Sequence, residues 1–145
     1  MKVLFDSNVI IDAISARDNA GNGADTLFLM AISKDIDGFL LSKQITDIYY
    51  VLRRYMDDKD ERITFIGFLL KTFEIINIGY DELFGAKCMY GDDFEDDLIS
   101  FAAEKCEMDY IATSNIEHFN LSYVKAGTPR EILSEIEKVR KTTSN

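Results

Sequence analysis

Several aspartates in this chain stand where a single uncompensated charge is costly. Asp6 closes a short apolar run, Lys2–Phe5, and Asp93, Glu95, Asp96 and Asp97 crowd together in the string DDFEDD. Thr113, Ser114 and Asn115 end a second apolar run, while Asp47 is followed by the apolar Ile48 and Tyr49. Helix capping accounts for part of this pattern, because aspartate is a favoured N-cap residue and both Asp6 and Asp93 precede helical segments. It does not account for Asp96 and Asp97 beside Glu95, since a helix dipole offsets only ~0.3–1 kcal/mol per charge. A cation would relieve the repulsion. Asp47 taken alone reads as a solvated helix-face acid, but its neighbours favour an inward lean, and a carboxylate leaning into a core needs a partner. Hard divalent ions such as Mg²⁺ or Mn²⁺ take oxygen ligands, and carboxylate clusters with room for water and phosphate are their usual catalytic setting.

Other polar residues fall around these acids. Asn8, in the triplet DSN, is placed to orient Asp6, and the hydroxyls of Thr113 and Ser114 suit a carboxylate, a phosphate or simply a turn. Asp12 and Asp93 are outer candidates. Asp97 follows Asp96 on a helix and is rotated from it by about 100°, so it is expected to face away. His118 is the only histidine; it falls in a loop, where an ordinary exposed side chain is expected.

The elements that must carry these residues alternate. Strands are expected at Lys2–Phe5, Gly38–Leu41, Phe73–Ile78, Tyr110–Thr113 and Tyr123–Lys125, from short β-prone runs bounded by turn residues. Apolar residues at helical spacing predict helices over Val9–Ile14, Asp25–Lys34, Lys43–Met56, Asp60–Lys71, Asp81–Met89, Asp93–Lys105 and Pro129–Arg140, with Ser42 as an N-cap and Pro129 in a first turn. Such alternation implies parallel pairing through right-handed crossovers, hence a three-layer α/β/α sandwich with a mainly parallel central sheet. Ligands of such sheets bind at the carboxyl ends of the strands where strand order reverses. Asp6, Asp96, Ser114 and Asn115 are all placed to reach that edge.

With 145 residues and 47% hydrophobic content the chain can bury one core, so residues 1–140 are expected to form a single domain followed by a frayed polar tail, 141–145. No secretory leader and no apolar run of the ~20 residues needed to span a bilayer is evident, which predicts a soluble cytoplasmic protein. Cys88 and Cys106 lack metal-ligand spacing and read as buried free thiols. The formal charge of −10 argues against a protein that coats nucleic acid, so any contact with phosphates must be local. Lys43, Arg53, Arg54 and Lys125 are the candidates for it, and each is otherwise an ordinary surface charge.

The segments VLFDSNVIIDAI, LSKQITDIYYVLRR, DDFEDDLISFAAEKCEMDYIATSNIEHF and SYVKAGTPREIL resemble, in order and spacing, the four signature segments of PIN domains, and the chain is similar to the VapC-type toxin ribonucleases among them. In this resemblance Asp6 matches the family's first acid, Asp47 the second, Asp96 the third and Asn115 the fourth position after a TS dipeptide. It implies a metal-dependent endoribonuclease with RNA as substrate and an antitoxin as partner. Tyr49, Tyr50 and Tyr55 are the candidate surface for that partner or for a homodimer. Two positions depart from the pattern. Asp47 is one methylene shorter than the usual glutamate and would reach a metal through water, and Asn115 keeps an oxygen but loses the usual charge. These departures keep open a weak or inactive PIN-like scaffold that binds a protein. A haloacid dehalogenase-type phosphatase fits poorly because Asn8 stands where its general acid is needed, and a phospho-receiver lacks its strand-end lysine.

Overall fold

The computed structural model describes residues 1–15 and 21–145. Strand β1 (Lys2–Phe5) is apolar from Val3 to Phe5 without alternation because both faces of the strand are buried there, as a central parallel strand requires. Val3 and Phe5 enter one apolar cluster and Leu4 enters another, so the period of two in the strand divides the core into two halves. Around β1 follow α1 (Ser7–Ile14), α2 (Ala24–Ile32), β2 (Asp37–Leu41), α3 (Ser42–Leu52), α4 (Lys59–Thr72) and β3 (Glu74–Ile76). Then come α5 (Tyr80–Met89), α6 (Phe94–Lys105), β4 (Tyr110–Ala112), a 3-10 turn (Ile116–Phe119), β5 (Ala126–Gly127) and α7 (Pro129–Thr143).

Among the described residues the strands form one sheet in the order β3-β2-β1-β4-β5, with every neighbouring pair parallel. Residues of α1, α2, α3, α4 and α7 pack with Val3 and Phe5, whereas residues of α5, α6 and the 3-10 turn pack with Leu4. The three-layer arrangement expected from the alternation of elements is therefore present. On the first face Phe73 anchors an aromatic group, edge-on to Phe5 at 5.1 Å and stacked on Phe28 at 5.9 Å between ring centres.

The differences from expectation lie at element ends, and each has a local cause. The last strand is Ala126–Gly127 and not Tyr123–Lys125, because the bonds to β4 run from Ile111 N–H to Lys125 O and from Thr113 N–H to Gly127 O. Helix α2 stops at Ile32 since Lys34 adopts a left-handed backbone, φ 63°. Phe73 closes α4, its N–H bonded to Leu69 O, and does not begin β3. Ser42 is the first residue of α3 and does not cap it: its Oγ accepts from Ile78 N–H, while Gln44 Oε1 accepts from Leu41 N–H at the helix start. Helix α7 continues to Thr143, three residues past the expected end, and Ser144 N–H closes it on Arg140 O. Cys88 is exposed and Cys106 half-buried, so neither is the fully buried thiol expected.

Helices α5 and α6 approach so closely that a Cβ on Gly85 would lie 2.2 Å from the Phe101 ring, whereas one on Gly67 of α4 would meet nothing within 4 Å. Overpacking typically costs ~1–3 kcal/mol, and replacing a helical glycine by alanine gains roughly 0.5–1 kcal/mol where there is room. Gly85→Ala should therefore lower stability and Gly67→Ala should raise it in urea unfolding. Equal midpoints for the two variants would show that the helices are not packed as closely as described.

Candidate active site

The chain leaves β1 for β2 and β3 on one side and returns for β4 and β5 on the other, so strand order reverses between β1 and β4. Asp6 stands at that point. Its N–H donates to Ala112 O (2.8 Å), which continues the β1–β4 pairing one residue beyond the strand. Its carboxylate accepts from Thr113 Oγ1 at 2.9 Å through Oδ2, and from Asn8 N–H at 3.4 Å through Oδ1. The N-cap position on α1 and the strand-end position are thus the same residue. Burial pushes the Asp6 carboxyl above its ordinary range; the bonds from Thr113 and Asn8 pull it back, and the Glu95 charge raises it further.

Thr113, fully buried, also accepts from Asn115 N–H at 3.1 Å, so one hydroxyl ties Asp6 to the loop after β4. Asn8 Oδ1 accepts from Ser114 N–H at 3.5 Å, and Ser114 Oγ donates to Asp12 Oδ2 at 3.1 Å. These contacts fasten the loop to α1 and place Asn115 beside the strand ends, at the start of the 3-10 turn. Gln44, which the sequence reading passed over, is 1% exposed. Its amide donates to Phe5 O (2.8 Å) and Ser7 Oγ (3.1 Å), so α3 is locked to the chain on either side of Asp6. A glutamine at the third position of a helix is a recognised capping signal and was the clue available.

Helix α6 brings the second acid. Asp93 caps it, its Oδ1 accepting from Asp96 N–H at 3.0 Å, and Asp96 projects from the first turn with its side chain 16% exposed. The Asp96 carboxyl is pushed up to about 6, by burial first and then by the charges of Asp93, Asp6 and Glu95, with His118 acting in the opposite direction. His118 Nδ1 lies 3.4 Å from Asp96 Oδ2. The histidine is exposed as expected, but it borders the acid, and nothing in the local pattern announced that contact. Asp97 is buried and accepts from Gly91 N–H at 2.8 Å. A Cβ on Gly91 would fall 2.4 Å from that carboxylate, so a larger residue there would require Asp97 to shift. Between the start of α6 and the 3-10 turn opens a cavity of about 490 Å³, lined by Asp96, Asp97, His118, Tyr90 and Glu117 among others; Asp6 is not part of its lining.

Asp47 departs from its expected inward lean. Its side chain is 41% exposed and its Oδ2 sits 2.6 Å from Lys43 Nζ, one turn earlier on the same helix. A counter-ion at that spacing removes the need for a buried partner. Lys43 also reaches Glu95 of α6, at 3.4 Å. Burial acts to lower the Lys43 ammonium, but Asp47 and Glu95 outweigh it and hold its pKa above the ordinary lysine value.

The donors gathered here are oxygens, and burial, followed by repulsion from Asp93, Asp6 and Glu95, holds the Asp96 carboxyl well above the usual carboxylate range. That chemistry fits a hard divalent cation, which would cancel the repulsion. Among the described residues, however, no three acid, histidine or cysteine side chains converge closely enough to hold an ion by themselves. Asp6 and Asp96 would supply two carboxylates of such a set, and water or phosphate oxygens would have to complete it.

Asp96 carries a pH signature. Its folded value of about 6 lies above the ordinary 3.8, so the folded chain binds this proton more tightly than the unfolded one. The associated stability is full below about pH 4 and is lost as the pH rises through about 6. Asp96→Asn removes the charge, so in EDTA the stability of the variant relative to the parent should improve between pH 4 and pH 7.5. A difference in urea midpoint that stays constant over that range would contradict this electrostatic picture.

A family model described as the PIN domain matches residues 2–117. No curated protein matches the chain. Among solved structures, VapBC2 of Rickettsia felis, bound to a promoter DNA fragment, is similar at 16% identity and TM-score 0.62, covering 88% of this chain and 98% of that one. FitAcB of Neisseria gonorrhoeae is similar at 16% identity and TM-score 0.59 with the same coverages, 88% and 98%. The sarcin–ricin loop-cleaving toxin VapC20 of Mycobacterium tuberculosis matches at 13% identity and TM-score 0.60, covering 75% of this chain and 86% of that one. At these identities the likeness is one of fold. With the family model spanning most of its length, the chain belongs to the PIN domain family.

Proposed function

We propose that the chain is a metal-dependent endoribonuclease and the toxin of a toxin–antitoxin pair. The observation that carries the proposal is the nearness of Asp96 to Asp6, the residue at the point of strand reversal, such that the Asp6 charge helps to hold the Asp96 carboxyl above its ordinary value. The solved structures of similar fold include VapBC2, FitAcB and an RNA-loop-cleaving toxin, which supports RNA as substrate and an antitoxin as partner. Among the described residues no helix is long and apolar enough to cross a membrane.

In this reading Asp6 and Asp96 would hold a divalent cation, with Asp47 and Asn115 completing its surroundings directly or through water. Mg²⁺ or Mn²⁺ bound there supplies Lewis acidity to the scissile phosphate and lowers the pKa of the attacking water. The protein's part is orientation. Thr113 and Asn8 fix the Asp6 carboxylate, and Asp93 fixes the start of α6 and with it the direction of Asp96. Ser114, tied to Asp12, holds the loop that presents Asn115 to the same edge. The exposed rings of Tyr50 and Tyr80 and the side chain of Leu83 leave apolar surface for an antitoxin or a second copy.

The second reading, a weak or inactive PIN scaffold that binds a protein, is favoured by the Lys43–Asp47 pair and by the neutral Asn115. Cleavage of a mixed RNA pool with Mg²⁺ or Mn²⁺ separates the two. The nuclease reading expects cleavage that EDTA abolishes and that Asp6→Asn or Asp96→Asn lowers by about 100-fold or more, as removal of a principal charge-stabilising group does. Folded protein that leaves every RNA intact in either metal, yet captures a partner, would establish the scaffold instead.

A further inference from the structure

Lys43 does more than neutralise a neighbour on its own helix. Its ammonium lies 2.6 Å from Asp47 Oδ2 and 3.4 Å from Glu95 Oε1, and so it bridges the first turn of α3 to the first turn of α6. Helix α3 follows directly from β2, and Glu95 is the residue before Asp96. The bridge therefore crosses the edge of the site between the element that carries Asp47 and the element that carries Asp96. Glu95 is also one of the charges felt by both Asp6 and Asp96. A single positive charge thus stands between the second acid and the rest of the cluster.

The other lysine pairs have a different setting. Lys105 meets Glu82 and Lys138 meets Glu135, each on a single carboxylate and away from the strand ends. Lys43 alone among these three lysines holds two carboxylates from two helices, and both belong to the acidic edge. With 42% of its side chain exposed, the ammonium has water to retreat into, and exposed pairs of this kind are weak enough to open.

We propose that Lys43 is a positioning residue that acts as an internal cation: it holds Asp47 off the metal centre, and Asp47 takes part in metal binding only when Lys43 swings out. The proposal rests on the reading of Asp6 and Asp96 as the primary metal residues. In the resting protein the ammonium and the carboxylate form a neutral pair, so the centre has the charge of the Asp6 and Asp96 side without that of Asp47. A divalent cation approaching the edge meets like charge from Lys43 and has to compete with it for the same oxygens. Metal affinity is thereby set low, and a polyanionic substrate, which can take over the ammonium as a phosphate partner, would release Asp47 at the moment it binds. The shorter reach of Asp47 then becomes useful, since the carboxylate stays within bond length of Lys43 on the same helix turn.

Mn²⁺ titration of the full chain by calorimetry, without RNA, tests this. Lys43→Met should bind Mn²⁺ about three- to tenfold more tightly than the parent, and adding Asp47→Asn to that variant should return the affinity to the parental value. Lys71→Met, on α4, makes the same change in net charge at a distance and should leave the affinity unchanged. Equal or weaker binding by Lys43→Met, while parental binding persists and depends on Asp96, would overturn the role of Lys43 and leave the metal reading standing. A gain that survives Asp47→Asn, or that Lys71→Met reproduces, would also overturn it, because the effect would be one of overall charge. Absence of Mn²⁺ binding in both the parent and Lys43→Met would overturn the metal reading and this proposal together.

Discussion

The bond from Thr113 Oγ1 to Asp6 Oδ2 is the interaction around which the site is built. Asp6 is the first residue beyond a strand buried on both faces, so its carboxylate stands where water is scarce and a charge needs donors. The donor comes from the neighbouring strand, and it can do so only because β1 and β4 are parallel and in register from Val3–Tyr110 to Phe5–Ala112. Parallel pairing brings both strands to the same edge, and the residues just beyond them meet there. Sheet order, register and burial are thus conditions for one hydrogen bond, and the remaining acids are placed with respect to it.

Helix α6 is under an opposite constraint. Its first turn gathers Asp93, Glu95, Asp96 and Asp97, more charge than a helix N-terminus can stabilise, and each residue disposes of its charge differently. Asp93 spends its oxygen on a backbone N–H, Asp97 turns to the Gly91 N–H, and Glu95 finds Lys43. Among the described residues Asp96 has His118 as its ion-pair partner, and burial first, then the neighbouring acids, keeps its pKa raised in spite of it. A residue whose charge is not fully answered by its own protein is the one positioned to answer something else.

Much of this was legible in the sequence because it depends on local pattern. The apolar runs of β1 and β2, the periodicity of α3, α4 and α6, and Pro129 at the start of α7 each carry a signal within a few residues, and the order of elements follows from them. The strand-end position of Asp6 and the capping role of Asp93 followed in the same way. Contacts between distant elements carried no such signal. Lys43 and Asp47 are one helical turn apart, but whether a lysine at that spacing pairs with an acid or extends into water depends on what faces it, here Glu95 across the site. His118 meets Asp96 through the path of the 3-10 turn, and Gln44 is buried because the Phe5 carbonyl and the Ser7 hydroxyl face α3. The strand β5 was misplaced because its position is set by register with β4 and not by its own composition.

The partners in the Asp6–Thr113 bond are 107 positions apart in the chain. During synthesis at ~5–20 residues per second, the interval between making one and making the other is on the order of 5–20 s. Through that time the nascent chain has its first acid but lacks the hydroxyl that orients it, Asp96 arrives only 17 residues before that hydroxyl, and β1 lacks the neighbour on one side. A ribosome making this protein therefore carries only an incomplete fragment until translation is well advanced. The order in which the sheet is assembled postpones the appearance of the strand-end site until most of the chain has been made.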